Sequence, residues 1–223
     1  MKQNMIKLKT LSIIALSAVV IFSCNKDEQV VSPTISNEAL TTVQLKLVNV
    51  ADASDAPTAQ WEQLLDNNGN PKPVDVSLAN LKLKANATYT ASLVLLDKTQ
   101  DPVFNVSAEI KERSNYHLFF YQSLPTSHAL VIPNNYPADP NDLYPEPIPT
   151  PIPSGNDLNL AVTITDHDSN PQQYPIGLES KFVTGAASSG WLRIVLRHQP
   201  NVKDGTFAPG STDLDVGFNV SIQ

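Results

Sequence analysis

The sequence predicts an all-β protein, an antiparallel β-sandwich of immunoglobulin-like or jelly-roll-like type with one short helix near 102–112. Three observations predict it. Beyond position 40 apolar residues recur with a period of two, the spacing that puts alternate side chains on one face of a strand. The alternation is clean, as in half-solvated antiparallel sheets, whereas parallel sheets give continuous apolar runs. Turn residues separate the alternating segments, as they do between the short strands of sandwiches. Composition agrees, because a chain that is 41% apolar has the means to build a core and is not wholly disordered.

In chain order, Val43, Leu45 and Leu47 alternate with Gln44 and Lys46. Leu81 and Leu83 alternate with Lys82 and Lys84, Asn86 offers a turn, and Tyr89, Ala91, Leu93 and Leu95 resume the pattern. Asp101-Pro102 reads as an N-cap followed by proline at the first helical position. Val103, Val106 and Ile110 then recur at three and four, which gives the helix over 102–112. It leads into Tyr116–Tyr121, an aromatic strand expected at the centre of the core. Eight prolines fall between Pro133 and Pro153. Proline has no N–H for a ladder, so this stretch is expected as an extended polyproline II loop, 133–155. Leu158, Leu160, Val162 and Ile164 form the next strand, Leu192, Ile194 and Leu196 another. The last is the most regular: Leu214, Val216, Phe218, Val220 and Ile222.

The first residues carry a different message. Lys2, Lys7 and Lys9 precede a twelve-residue apolar run, Leu11 to Phe22. That is shorter than the roughly 20 residues a membrane span needs and has the layout of a secretory signal peptide. Ile21-Phe22-Ser23-Cys24 resembles a lipobox, so Cys24, the only cysteine, is expected to be lipidated. Asn25-Lys26-Asp27-Glu28 resembles the signal that sends Bacteroidetes lipoproteins to the outer face of the outer membrane. The expected organisation is a signal peptide over 1–23, an acylated flexible tether over 24–38, and one sandwich domain over 39–223. The net charge of −7 excludes nucleic acid as a natural partner, because phosphate binding needs clustered Lys and Arg.

Candidate ligand-binding residues are His117, Asp166, Asp168 and His198. Two or three of the four histidines, which include His128 and His167, could meet around a metal ion. His198 has the parity of Leu192, Ile194 and Leu196, so it faces the core at a strand end, as a ligand or as a hydrogen-bonded core-edge histidine. Asp166-His167-Asp168-Ser169-Asn170 has the D-x-D-x-N spacing that opens a calcium loop, but Pro171 stands where the loop needs glycine. It reads as a looser calcium site or as an acidic strand-ending turn. Trp191, Arg193 and Arg197 share the other face of their strand, as a ligand platform or as the cations that balance Asp213 and Asp215. The second is preferred. No Gly-x-Ser-x-Gly or G-x-x-x-x-G-K is present, so neither nucleophilic hydrolysis nor phosphate cradling is indicated.

Several stretches resemble a family of small Bacteroidetes outer-membrane lipoproteins. They are Asp166–Asn170, Pro175–Leu178, the T-G-x-x-x-x-G turn at Thr184–Gly190, the L-R-H-x-P element at Leu196–Pro200, Lys203–Gly205 and Thr212–Val216. Upstream, Asn86–Tyr89, Leu95-Leu96 and His117–Tyr121 also match. The family is often labelled a type 1 periplasmic binding fold, yet such a fold needs βαβ units of roughly 30 residues, which this chain does not display. The resemblance implies location and class rather than a reaction. The expectation is a lipid-anchored, outward-facing, non-enzymatic module with no resident cofactor beyond a possible metal ion. It would capture a metal, metal chelate or glycan for an outer-membrane transporter. The rivals are a structural or adhesive surface protein, with the proline loop as contact, and a hydrolase with an unrecognised carboxylate site.

Overall fold

A computed structural model describes residues 40–125, except 69, 71, 73, 74 and 76, and residues 158–223. Cys24, the signal peptide, the tether, His128 and the proline-rich stretch 133–155 lie outside the described residues.

Among the described residues, ten strands form two sheets. The larger runs β2 (Thr58–Glu62), β1 (Thr42–Asn49), β4 (Thr88–Asp97), β8 (Glu179–Thr184) and β7 (Leu160–Ile164), and the two-residue β5 (Phe104–Asn105) also pairs with β4. The smaller runs β3 (Asn80–Leu83), β10 (Ser211–Ile222), β9 (Ser188–His198) and β6 (His117–Pro125). All pairings are antiparallel except one: β3 runs parallel to β10, with Asn80 opposite Asn219. Alternation fixes which face is buried, not which way a neighbour runs, so this departure from the expected antiparallel sheet has no local signal.

The two sheets pack face to face, and the period-two residues of the sequence are the core. Val43, Leu45 and Leu47 of β1 meet Leu95, Leu93 and Ala91 of β4 in register. From the other sheet come Leu192, Ile194 and Leu196 of β9 and Leu214, Val216, Phe218, Val220 and Ile222 of β10, all but fully buried. Trp61, Tyr89, Phe119, Phe182 and Phe218 are the largest side chains fully inside. Burying one such side chain stabilises the fold by about 1.5–3 kcal/mol, so the facing layers supply most of the driving force.

Two expectations are corrected. The helix α1 spans Val106–Glu112, not 102–112, and its N-cap is Asn105, whose side chain accepts from the Ala108 N–H. Phe104 and Asn105 are held in β5 against Leu96 and Asp97 of β4, so the helix cannot start sooner. Only Val106 and Ile110 of the apolar triplet reach the core, while Val103 is exposed. The aromatic strand β6 is not central but an edge of the smaller sheet. Its edge is covered where the β7–β8 loop passes: the Phe119 N–H donates to the Ile176 carbonyl and the Tyr121 hydroxyl to that of Gly177. Among the described residues no helix is long and apolar enough to cross a membrane.

Candidate functional site

One end of the sandwich gathers the start of β6, the end of β9, the β7–β8 loop (165–178), the β9–β10 loop (199–210), and the short 3-10 helix Ser114–Tyr116 that follows α1. All four residues singled out from the sequence are at this end. His117 and His198 are register partners on β6 and β9, and their rings stack with centroids 5.0 Å apart and planes 11° from parallel. Strand pairing forces this contact, because both have the inward parity of Phe119 and Leu196.

His117 is buried and its Nδ1 lies 3.1 Å from the Arg113 carbonyl. A carbonyl only accepts, so Nδ1 carries a proton and donates in this contact. Burial, then the neighbouring His198, holds the His117 pKa down at about 4. His198 is partly exposed, with Nδ1 3.9 Å from an Asp213 carboxylate oxygen.

Asp166 and Asp168 are spent on the protein itself. Asp166 accepts from the N–H groups of Gly177 (2.8 Å) and Leu178 (3.1 Å), which pins the β7–β8 loop against the start of β8. Asp168 is buried and pairs at 2.8 Å with Lys203, whose side chain is equally inaccessible. Lys203 also donates to the Ser114 carbonyl. Burial pushes the Lys203 ammonium below its ordinary range, with Asp168 pulling the other way. Glu179 nearby is pushed up, by burial first and then by Asp166.

This arrangement does not suit a bare cation. An imidazole-bound ion lies along a nitrogen lone pair, in the ring plane and about 2 Å away, and two stacked near-parallel rings have no such point in common. The D-x-D-x-N stretch is an acidic turn whose carboxylates are already satisfied. No group of three or more His, Cys, Asp or Glu among the described residues is placed to hold a metal. The end does offer a partly open imidazole backed by a carboxylate, above a rigid ionic floor.

The face of β9 away from the core resolves in favour of charge balance. Arg193 makes a two-pronged pair with Asp215 at 2.9 and 2.8 Å, both side chains nearly buried. Arg197 does not pair with Asp213 in the same way. It donates to the Thr212 hydroxyl and the Gly210 carbonyl and lies 4.7 Å from the centre of the Phe207 ring. The reason is a bulge: β10 shifts register between Thr212 and Leu214, so Asp213 leaves the alternation and approaches His198.

Lys203 was missed as a site residue. Its partner is in a different loop, and although Lys203–Gly205 is among the stretches that carry the resemblance, nothing in that stretch points to Asp168. At the opposite end, Tyr89 donates to Asp55, which also accepts from Asn49 and pairs with Lys84.

Comparison with protein-family models, with curated proteins and with solved structures finds no match for this chain. The lipoprotein resemblance therefore rests on the sequence elements alone.

Proposed function

We propose that the protein is a lipid-anchored outer-membrane binding module, facing outward and non-enzymatic, that captures a nutrient and passes it to an outer-membrane transporter. One observation carries this reading. Four residues chosen from the sequence, His117, Asp166, Asp168 and His198, lie at one end of the sandwich, the two histidines stacked on each other and Asp168 paired with Lys203. Loops clustered on a rigid β scaffold are where binding residues concentrate. Because both aspartates already have protein partners, the geometry favours a glycan or a metal chelate over a bare ion. His198 is the contact residue, and the buried groups beneath it hold the loops in place.

The test is a thermal-shift panel on the full chain carrying Cys24→Ser, with glycans, haem, iron chelates, zinc and calcium each in excess. A ligand at 100 times its dissociation constant adds about 2.7 kcal/mol, and each kcal/mol moves the midpoint by roughly 2–4 °C in a domain of this size. The expected result is a rise of several degrees with one ligand, lost in His198→Ala. A flat panel overturns capture and moves the assignment to protein contacts at the cell surface.

A further inference from the structure

The most unusual chemistry in the molecule is independent of any ligand: a lysine and an aspartate that touch in a site closed to water. The side chains of Lys203 and Asp168 are 1% and 0% exposed, with Nζ 2.8 Å from Oδ2. An ion pair there gives up the hydration of two full charges, which the mutual attraction of such a pair often fails to repay. The surrounding hydrogen bonds are few and specific. Nζ donates to the Ser114 carbonyl at 2.9 Å, the Asn170 N–H donates to Oδ1 at 3.0 Å, and the Asn170 side-chain amide donates to Oδ2 at 3.0 Å.

We infer that Lys203 and Asp168 condense to an intramolecular amide, an isopeptide bond from Nζ to the side-chain carbonyl carbon. The step balances without any co-reactant. One ammonium proton passes to Oδ2 and frees the nitrogen lone pair, which attacks the carboxyl carbon. A C–N bond forms, the bond to Oδ2 breaks, and a second proton from nitrogen lets that oxygen leave as water. The last proton remains as the amide N–H.

The site favours this reaction in three ways. Contact between the reacting groups replaces an encounter in solution, the source of the large effective molarities of oriented pairs. The Asn170 N–H points at Oδ1, where negative charge develops in the tetrahedral intermediate, and a fixed donor at that position lowers the barrier. The product is satisfied by partners already in place, since its N–H meets the Ser114 carbonyl and its oxygen keeps the Asn170 N–H. The amide is also neutral, so the cost of burying two charges disappears. The bond would tie the β7–β8 loop to the β9–β10 loop, a role disulfides cannot take here because Cys24 is the only cysteine.

The experiment is peptide mapping of the purified full-length chain by mass spectrometry. A branched peptide is expected, joining the stretch around Asp168 to the stretch around Lys203, one water lighter than its two arms together. The branch itself must be sequenced, because Asp204-Gly205 can lose a water on its own by cyclising. Lys203→Arg keeps the cation and abolishes the branch. Quantitative recovery of both linear peptides at full mass from the folded wild-type protein overturns the inference, whatever the variants do.

Discussion

His117 couples the fold to pH. An unfolded histidine titrates near 6.5, and the folded one at about 4 because burial and His198 oppose its charge. The unfolded chain therefore binds the proton more readily, so this contribution is complete above pH 6.5. It is lost as pH falls from 6.5 through 4 and is flat below. The total is roughly 3 kcal/mol. The charged and titratable groups facing the ring are His198, Lys203 and Arg113. Denaturant midpoints measured at pH 7 and 4.5 should fall further in the wild type than in His117→Gln, whose amide can still donate to Arg113. A second residue-scale prediction concerns Asp215. Replacing it with alanine removes the two-pronged carboxylate partner of the nearly buried Arg193 and should cost about 3–5 kcal/mol, read from chemical denaturation. Charge balance between these two strands was legible in the alternation of both. The bulge that diverts Asp213 was not, because it arises from how β10 meets β9 and not from β10 itself.

At the scale of elements, α1 is a plug more than a helix in its own right. Seven residues are too few to be stable alone in water, and it persists because Val106 and Ile110 are buried without remainder. Ile110→Ala should therefore cost about 2–5 kcal/mol, well above the ~1 kcal/mol for removing the cap in Asn105→Ala. If the cap variant proves the worse of the two in urea unfolding, local propensity and not packing holds this segment. The strands that sequence reading found, β1, β3, β4, β6, β7, β9 and β10, announce themselves by apolar alternation. The ones it passed over do not. In β8 the inward positions are Ser180, Phe182 and Thr184, so two of three look polar. Thr184 is inside because its hydroxyl bonds the Lys84 carbonyl and accepts from the Ala87 N–H. In β2 only Ala59 and Trp61 point inward, too short a run to register. The aromatic run of β6 was misjudged as central because Phe120 is not a core residue. It turns outward onto Phe207 of the β9–β10 loop.

At the scale of the whole molecule, fold class was legible and sheet assignment was not. A period of two is a property of each strand alone, whereas strand order depends on partners up to 139 residues apart, as for Asn80 and Asn219. The same holds for the candidate end: sequence named the histidines and aspartates, and only the topology could bring in Lys203. One prediction belongs to the entire chain. Cys24→Ser should move the protein from the membrane pellet to the soluble fraction on cell fractionation, with its thermal midpoint unchanged. An unchanged distribution would remove the anchor from the proposed function. The position of β10 has a further consequence, for the timing of folding. It lies between β3 and β9, yet it is the last of the described strands to leave the ribosome. Until it does, β3 has no neighbour in its sheet and β9 has only the edge strand β6. In a nascent chain arrested before Ser211, protease should therefore cut at β3 more readily than in the full-length protein. The smaller sheet can begin with the β6–β9 pair but cannot be completed, or take in β3, until β10 has emerged.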